Sequence, residues 1–378
     1  MTSSDSIFIS AGDPSADFPG KNLIDEILRL YPGIDIVGLG GPLMQSAGLS
    51  PLADHRDLAI LGLWEVLPKF MYFRKLMKKA AAIIAERRPR AIILMDYPGF
   101  NLRLARKVKP LGIPIIYYIS PQVWAWGGRR ISAIRETVDR MLVIFPFEEE
   151  FYRKHGIEAR FVGHPIVDRF QSVPDTKACR DKIQINGEPL IALLPGSRLQ
   201  EVKRMLPAMA DAAEIIRSRL DSAAFVVAGV SNIGMDIYDD VIGGRKIEVR
   251  YGETPEIING ADFVIASSGT ATIETAYFAT PMVVVYKTGF LTYQIARRLI
   301  KLDAIGMVNI VAGRKIVPEL IQGDADGPAI ARSALDILND RSRYEAMTAD
   351  LMKVREKLGA GDAARRAVEA IMETAPLC

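Results

Sequence analysis

The chain has 378 residues, 49% hydrophobic and 25% charged, with a formal net charge of +3. That length suggests two domains or three, and the near-balanced charge excludes bulk nucleic-acid electrostatics, so no nucleic-acid partner is expected. Two cysteines, Cys179 and Cys378, and three histidines, His55, His155 and His164, form no disulfide framework and argue against zinc; no metal and no cofactor are expected.

The N-terminal residues carry no basic segment, and Ile7-Phe-Ile9 is too short for a signal core. No run reaches the ~18 apolar residues of a spanning helix. A cytoplasmic protein follows, one able to touch a membrane surface.

Residues Ile7 to Ala11 read as a strand that runs into the turn Gly12-Asp-Pro-Ser-Ala-Asp17. Helical periodicity holds from Leu23 to Tyr31, and Ile36 to Gly41 is a second strand ending in glycines. This β-turn-α-β opening starts a doubly wound sheet, whose ligands sit at the strand C-terminal ends. No GxGxxG follows the first strand, which disfavours a dinucleotide. The segment Leu58 to Lys79 mixes large apolar residues, Trp64, Phe70, Met71 and Phe73 among them, with Arg74, Lys75, Lys78 and Lys79. Two readings stand for it: a membrane-interface element with acyl-chain contacts, or a core helix with a solvated basic face.

Ala91 to Met95 is a buried strand that delivers Asp96-Tyr-Pro-Gly-Phe-Asn101 at its end. A carboxylate there suits a general base for an incoming hydroxyl; it could equally cap the next helix. Asp13 and Asp17 could share that work, or serve only turn and cap chemistry. Strands at Ile115 to Ile119 and Met141 to Phe145 follow, the first leading into Ser120-Pro-Gln-Val-Trp-Ala-Trp126. Trp124 and Trp126 could stack on a sugar or acyl surface, or simply pack. His164 is read as a satisfied hydrogen-bonding residue rather than a reacting one.

Residues 171–189 are polar and aperiodic and are read as a linker. The alternation then restarts with the strand Leu190 to Leu194, which enters Pro195-Gly-Ser-Arg198. A helix pattern spans Met205 to Ile216, with strands at Ala224 to Ala228 and Ile247 to Arg250 and a helix near Thr254 to Asn259. Phe263 to Ile265 leads into Ser267-Ser-Gly-Thr270, a strand-turn-helix step with Ser268 or Thr270 as N-cap. A helix N-terminus suits a phosphate, and Glu274, one turn in, is placed to accept hydrogen bonds from a ribose; taken alone, the turn reads rather as an ordinary βα turn with no ligand. Two such turns, at Gly196–Arg198 and Ser268–Thr270, point to a diphosphate. Arg198 can pair with it and offset leaving-group charge, or merely pair with Glu201. The strand Met282 to Tyr286 and a helical stretch from Ala329 to Met372 close the chain. The expected organisation is an N-terminal domain over 1–170, a second over 186–345, and helices over 346–378 that pack back on the first domain or on a partner subunit.

Five stretches occur in order: Ser120-Pro-Gln-Val-Trp-Ala-Trp126, Phe161-Val-Gly-His-Pro165, Leu193-Leu-Pro-Gly-Ser-Arg198, Ser268-Gly-Thr270 with Glu274, and Asn309-Ile-Val-Ala-Gly-Arg314 with Pro318-Glu-Leu320. Together, from about Ile7 to Gln322, they closely resemble the lipid-A-disaccharide synthases. The resemblance implies an α/β fold of two Rossmann-like domains facing a central cleft (GT-B type) and an inverting, metal-independent glycosyltransferase. It would join a UDP-2,3-diacylglucosamine donor to a 2,3-diacylglucosamine 1-phosphate acceptor, releasing UDP and giving a β-1,6 disaccharide. It further implies a peripheral place on the inner face of the bacterial inner membrane, and in some members a homodimer with swapped C-terminal parts. By the same likeness Asn309 and Glu319 are nucleotide-site candidates.

The family's first motif, Gly-Glu-x-Ser-Gly-Asp, reads Gly12-Asp-Pro-Ser-Ala-Asp17 here, with Asp13 shorter and Ala16 in place of glycine. Ser15, as substrate contact, and Asp17, as catalytic candidate, are retained. Many members carry a second acid where Gly99 stands. The altered motif keeps two alternatives open: another UDP-sugar enzyme of this fold, such as a 2-epimerase or a transferase with a different acceptor, and a non-catalytic nucleotide-sugar or lipid-binding protein.

Overall fold

The computed structural model describes residues 5–52, 66–124, 128–289 and 304–376; of 14, 66–71 and 128–129 it gives the backbone course only. The chain divides into two compact units, Met1–Asp168 with Leu358–Cys378, and Arg169–Lys357.

In the first unit the strands are β1 (Ser6–Ala11), β2 (Asp35–Leu39), β3 (Ser50–Pro51), β4 (Ala91–Met95), β5 (Ile115–Tyr118), β6 (Arg140–Val143) and β7 (Ala159–Phe161). Among the described residues they form one parallel sheet in the order β3-β2-β1-β4-β5-β6-β7. A parallel neighbour needs a crossover. Helices supply most of them: α1 (Asp17–Leu30), the short α2 (Pro42–Ser46), α3 (Val66–Arg87), α4 (Pro98–Val108), α5 (Gly128–Thr137) and α6 (Pro146–Lys154). Both sheet faces are therefore covered, and the central strands β1, β4 and β5 are buried along their whole length. Alternate residues feed two cores. Phe8, Ile92, Leu94 and Tyr117 join Leu76 and Ile84 of α3, while Ile7, Ile9, Ile93 and Tyr118 join Leu23 and Ile27 of α1. In α3, Arg74, Lys75 and Lys78 are exposed while Leu76, Ala80 and Ile84 are buried. Over residues 72–87 the segment is thus a core helix with a basic outer face; residues 53–65, with Trp64, lie outside the described residues.

The strand order reverses between β1 and β4. Ligands of open parallel sheets bind at such a switch point, beyond the strand C-terminal ends. Gly12–Asp13 and Asp96 occupy those ends.

The second unit repeats the scheme. Its strands β8 (Leu190–Leu194), β9 (Ala224–Gly229), β10 (Glu248–Tyr251), β11 (Phe263–Ser267), β12 (Met282–Tyr286) and β13 (Glu319–Ile321) are parallel in the order β10-β9-β8-β11-β12-β13. Here the switch point lies between β8 and β11, which pair Leu194 with Ala266. The turns at Gly196–Arg198 and Ser268–Thr270 therefore emerge side by side.

The expected linker over 171–189 is not one. It holds α7 (Thr176–Ile183), capped by Asp175, whose Oδ1 accepts from the Ala178 N–H at 2.9 Å. Cys179 and Ile183 are buried, and Arg180 Nε donates to the Gly260 carbonyl at 2.8 Å. With only two apolar positions facing inward, a short surface helix reads as polar coil in sequence. The unit boundary falls at Asp168/Arg169 instead.

The helical C-terminal stretch resolves into Gly327–Leu338, Arg341–Lys357 and a last helix, Ala363–Thr374. That last helix returns to the first unit, where Ala367, Val368, Ala370 and Ile371 enter the α1-side core. The Ala363 N–H donates to Asp168 Oδ2 at 3.0 Å, and Arg366 Nε to the Val162 carbonyl at 2.8 Å. No described helix is long and apolar enough to cross a membrane.

Candidate active site

In the first unit the site is built around two consecutive left-handed residues. Asp96 (φ +43°) and Tyr97 (φ +49°) follow β4, and Ile119 (φ +62°) follows β5. Such conformations cost non-glycine residues free energy, most of all a β-branched one, and cluster where geometry is over-determined. Here the restraints are visible. The Asp96 carbonyl accepts from Asn101 Nδ2 at 2.7 Å and from the Tyr117 hydroxyl. The Asp96 N–H donates to the Ile119 carbonyl at 3.3 Å. Asn101, fully buried, also donates to the Ser10 and Met95 carbonyls and accepts from Ser10 Oγ at 2.7 Å, tying the ends of β1 and β4 together. The Tyr97 ring lies over Gly12 so closely that a Cβ there would stand 2.3 Å from Tyr97 Cδ1. That contact requires glycine.

The twist leaves the Asp96 side chain half-buried and not engaged as a cap: Tyr97 is the N-cap of α4, and no side chain caps that helix. Burial, then the nearby Asp13 charge, push the Asp96 carboxyl up to about 6. Desolvation disfavours the charged form, and a like charge adds to it.

Two other acids of the first motif have local work. Asp13 Oδ1 accepts from the Ser15 N–H at 3.0 Å and from Ser15 Oγ at 2.8 Å, closing the turn and engaging the Ser15 hydroxyl. Asp17, the other catalytic candidate, is engaged in a cap in this structure. Its two oxygens accept from the Met44 N–H at 3.0 Å and the Leu43 N–H at 3.1 Å, so it caps α2 from α1. His164 is a satisfied residue, as expected. It is buried, its Nδ1 accepts from the Ile166 N–H at 3.1 Å, and burial lowers it to about 3, so it stays neutral. Phe73, an acyl-contact candidate, is half-buried, edge-on to Phe100 at 5.1 Å and 6.0 Å from Tyr97. The side chains of Phe70 and Met71, and all of Trp64 and Trp126, lie outside the described residues.

In the second unit the two turns differ from each other. Gly196 (φ +115°) allows Glu201 to fold back, and its Oε2 accepts from the Ser197 N–H at 3.0 Å and the Arg198 N–H at 3.3 Å. Those amides are engaged by Glu201 in this structure. The Arg198 guanidinium stays available: it is 75% exposed, with Glu201 Oε1 at 3.6 Å, a surface pair worth little.

The other turn is open. Neither Ser268 nor Thr270 caps the helix Thr270–Tyr277: Gly269 (φ +150°) is the N-cap, without a side-chain hydrogen bond. Ser268 Oγ instead donates to the Ile305 carbonyl at 3.2 Å. An uncapped helix N-terminus suits an anion. Glu274, one turn in and 15% exposed, has Arg169 Nη1 at 3.5 Å. Burial raises its carboxyl, and Arg169 opposes that.

Asn309 and Glu319 were expected to touch the nucleotide. Asn309 is 1% exposed and its amide is wholly committed, accepting from the Ile316 and Val317 N–H groups and donating to the Val317 carbonyl and Glu319 Oε1. Glu319 accepts from the Ile305 and Gly306 N–H groups, capping the helix Met307–Ala312 from β13. Both hold the 305–306 turn to which Ser268 is bonded. Asn309 is structural for that reason.

Sequence reasoning missed Glu148. This carboxylate is 2% exposed and is pushed up to about 7 by burial. It accepts from Ser120 Oγ, Trp124 Nε1 and the Phe145 N–H. The spacing Phe145-Pro-Phe-Glu148 is a helix-start signal, but nothing local reveals the reach to Ser120.

A family model described as lipid-A-disaccharide synthetase matches residues 7–373. Over 372 residues the chain is 43% identical to the lipid-A-disaccharide synthase of Anaeromyxobacter sp. (strain K), covering 97% of each chain. The chain belongs to the lipid-A-disaccharide synthase family. A second relative, the synthase of Myxococcus xanthus (strain DK1622), is 36% identical across 100% of this chain and 99% of its own. The synthase family makes the chain a lipid A disaccharide-forming glycosyltransferase, and disfavours the non-catalytic and 2-epimerase alternatives. In fold alone it is similar to the Neisseria meningitidis UDP-GlcNAc 2-epimerase bound to UDP-GlcNAc (TM-score 0.66, 10% identity, 97% and 99% coverage). It is likewise similar to the glycotransferase of kitacinnamycin (TM-score 0.65, 15% identity, 98% and 99% coverage). The fold of two parallel-sheet α/β units is thus shared with these proteins.

Proposed function

We propose that Asp96 is the general base with which this chain activates the 6-hydroxyl of 2,3-diacylglucosamine 1-phosphate. That oxygen attacks the anomeric carbon of UDP-2,3-diacylglucosamine on the face opposite the nucleotide. The C–O bond to the sugar forms as the bond to the UDP oxygen breaks, Asp96 takes the proton, and the configuration inverts in one displacement. Arg198 and the open N-terminus of helix Thr270–Tyr277 receive the charge that develops on the leaving diphosphate, and Glu274 accepts from the ribose hydroxyls. The observation that carries this reading is Asp96 itself: a strained, half-buried carboxylate at a switch point, engaged in no cap, with its carboxyl raised toward neutrality. Asp13 and Ser15 follow the neighbouring strand β1 and serve the acceptor side.

The exposed basic stripe of Arg74, Lys75 and Lys78 supports a peripheral place on the anionic inner face of the inner membrane, where the acylated substrates reside.

Asp96→Asn tests the base. Loss of a general base costs roughly 10²–10⁴-fold in turnover; UDP affinity, measured by calorimetry, is expected to stay unchanged. Wild-type turnover in D96N would remove Asp96 from the mechanism.

A further inference from the structure

Glu148 does more than its helix requires. A glutamate at the third position of α6 needs one oxygen to receive the N-cap N–H, and glutamine serves that purpose as well. Here Oε2 receives the Phe145 N–H at 3.1 Å, while Oε1 reaches out of the helix to Ser120 Oγ at 2.5 Å and Trp124 Nε1 at 3.1 Å. An indole N–H and a peptide N–H are donors only. The group between them must therefore accept on both oxygens, which a carboxyl group does and a primary amide does not. Among the described residues no Lys or Arg contributes to its balance, and burial pushes the carboxyl up to about 7 against the pull of these bonds.

What those bonds fix is the loop after β5. It begins at Ile119, whose carbonyl takes the Asp96 N–H, and runs through Ser120 and Pro121 to Trp124. The Tyr152 hydroxyl donates to the Pro121 carbonyl at 3.4 Å, a second hold from α6. The half-buried Trp124 ring stands edge-on to Phe147 at 5.2 Å, and Phe147 stacks on Phe145 at 5.8 Å. One end of the loop is thus hydrogen-bonded to Asp96, and the other is an aromatic ring held in one orientation.

We propose that Glu148 is a positioning residue for the acceptor: through Ser120 and Trp124 it sets the loop so that the Trp124 ring walls the acceptor sugar's place beside Asp96. The inference rests on the reading of Asp96 as base. An indole face packs against the C–H surface of a pyranose, so the residue acts on acceptor binding and not on the donor.

Steady-state kinetics on the full chain, with both diacylated sugars in mixed micelles, test it. Glu148→Gln keeps the shape and the helix start but presents an NH₂ to one of two obligate donors. It is expected to raise the acceptor KM about tenfold or more, with donor KM and UDP affinity within about twofold of wild type. Adding Trp124→Phe removes one donor, lets the amide oxygen turn to Phe145, and is expected to recover part of the E148Q loss. An unchanged acceptor KM in folded E148Q, or equal losses for donor and acceptor, would overturn the proposal. Should E148Q not fold, Ser120→Ala and Trp124→Phe leave the carboxylate in place; each is expected to raise acceptor KM alone, and an unchanged value in both counts against the proposal. D96N in the same assay separates the two readings, since normal turnover there defeats the base assignment whatever E148Q does.

Discussion

A base that takes a proton from an alcohol works best with a pKa close to the working pH. Burial and Asp13 bring Asp96 to about 6. The free enzyme's kcat/KM is therefore expected to rise with pH through about 6 and to fall about tenfold per unit below it. Asp13→Asn removes the neighbouring like charge, so the acid limb should move to lower pH; a limb that stays put in the pH profile means Asp13 does not act on Asp96. The same shift has a cost in stability. The folded pKa is raised above an unfolded value near 3.9, so the native state binds the extra proton between about 4 and 6. The carboxyl is neutral and harmless below about 4, and stability is lost as pH rises through about 6. D96N should accordingly gain up to about 3 kcal/mol over wild type at pH 8 and almost nothing at pH 4, read by urea unfolding. A pH-independent difference would show that Asp96 is not desolvated.

At the scale of elements, the side chains that hold turns matter as much as those that face a ligand. Asn309 pins the 305–306 turn through Glu319 and the 316–317 backbone with four hydrogen bonds while 1% exposed. Asn309→Ala leaves those partners unsatisfied, and is expected to lower unfolding free energy by roughly 2–4 kcal/mol and to raise donor KM through the Ser268 turn. Chemical denaturation and donor kinetics check both; an unaffected midpoint would place the turn's support elsewhere. The motif containing Asn309 and Glu319 was visible in sequence, but its inward direction was not, because the partners lie across a turn and on a separate strand. The cap that Asp17 provides is hidden in sequence for the same reason, its N–H donors being 26 and 27 residues away. Strand ends were legible: a parallel strand buried on both faces is an unbroken apolar run, and the polar residue that ends it declares itself. Asp96, Arg198 and the Ser268 turn become candidates that way. Glu148 does not, since its chemistry depends on a loop contributed by another strand.

At the scale of the molecule, the alternation of strands and helices announced two sheets, yet the path of the chain between units was not in the pattern. Amphipathic periodicity says that the last helix buries a face, not against which sheet. Ala367, Val368, Ala370 and Ile371 go to the first unit's core, with Arg140 bonded to the Ala370 carbonyl and to Glu373. The first unit is therefore discontinuous in sequence, and the second, residues 169–357, is continuous with a core of its own. Units with separate cores can fold separately, and the consequence is asymmetric. A chain ending after Lys357 strips four buried side chains from the α1 face of the first sheet. At about 2–5 kcal/mol for each large aliphatic lost, Val368 and Ile371 alone remove most of a typical domain's stability of ~5–15 kcal/mol. Residues 169–357 expressed alone are expected to unfold cooperatively and to bind UDP by calorimetry. The chain ending after Lys357 is expected to keep that transition and lose the first unit's, seen as protease sensitivity confined to residues 1–168. Loss of both transitions together would mean that the second core depends on the C-terminal helix as well, contrary to where its side chains lie.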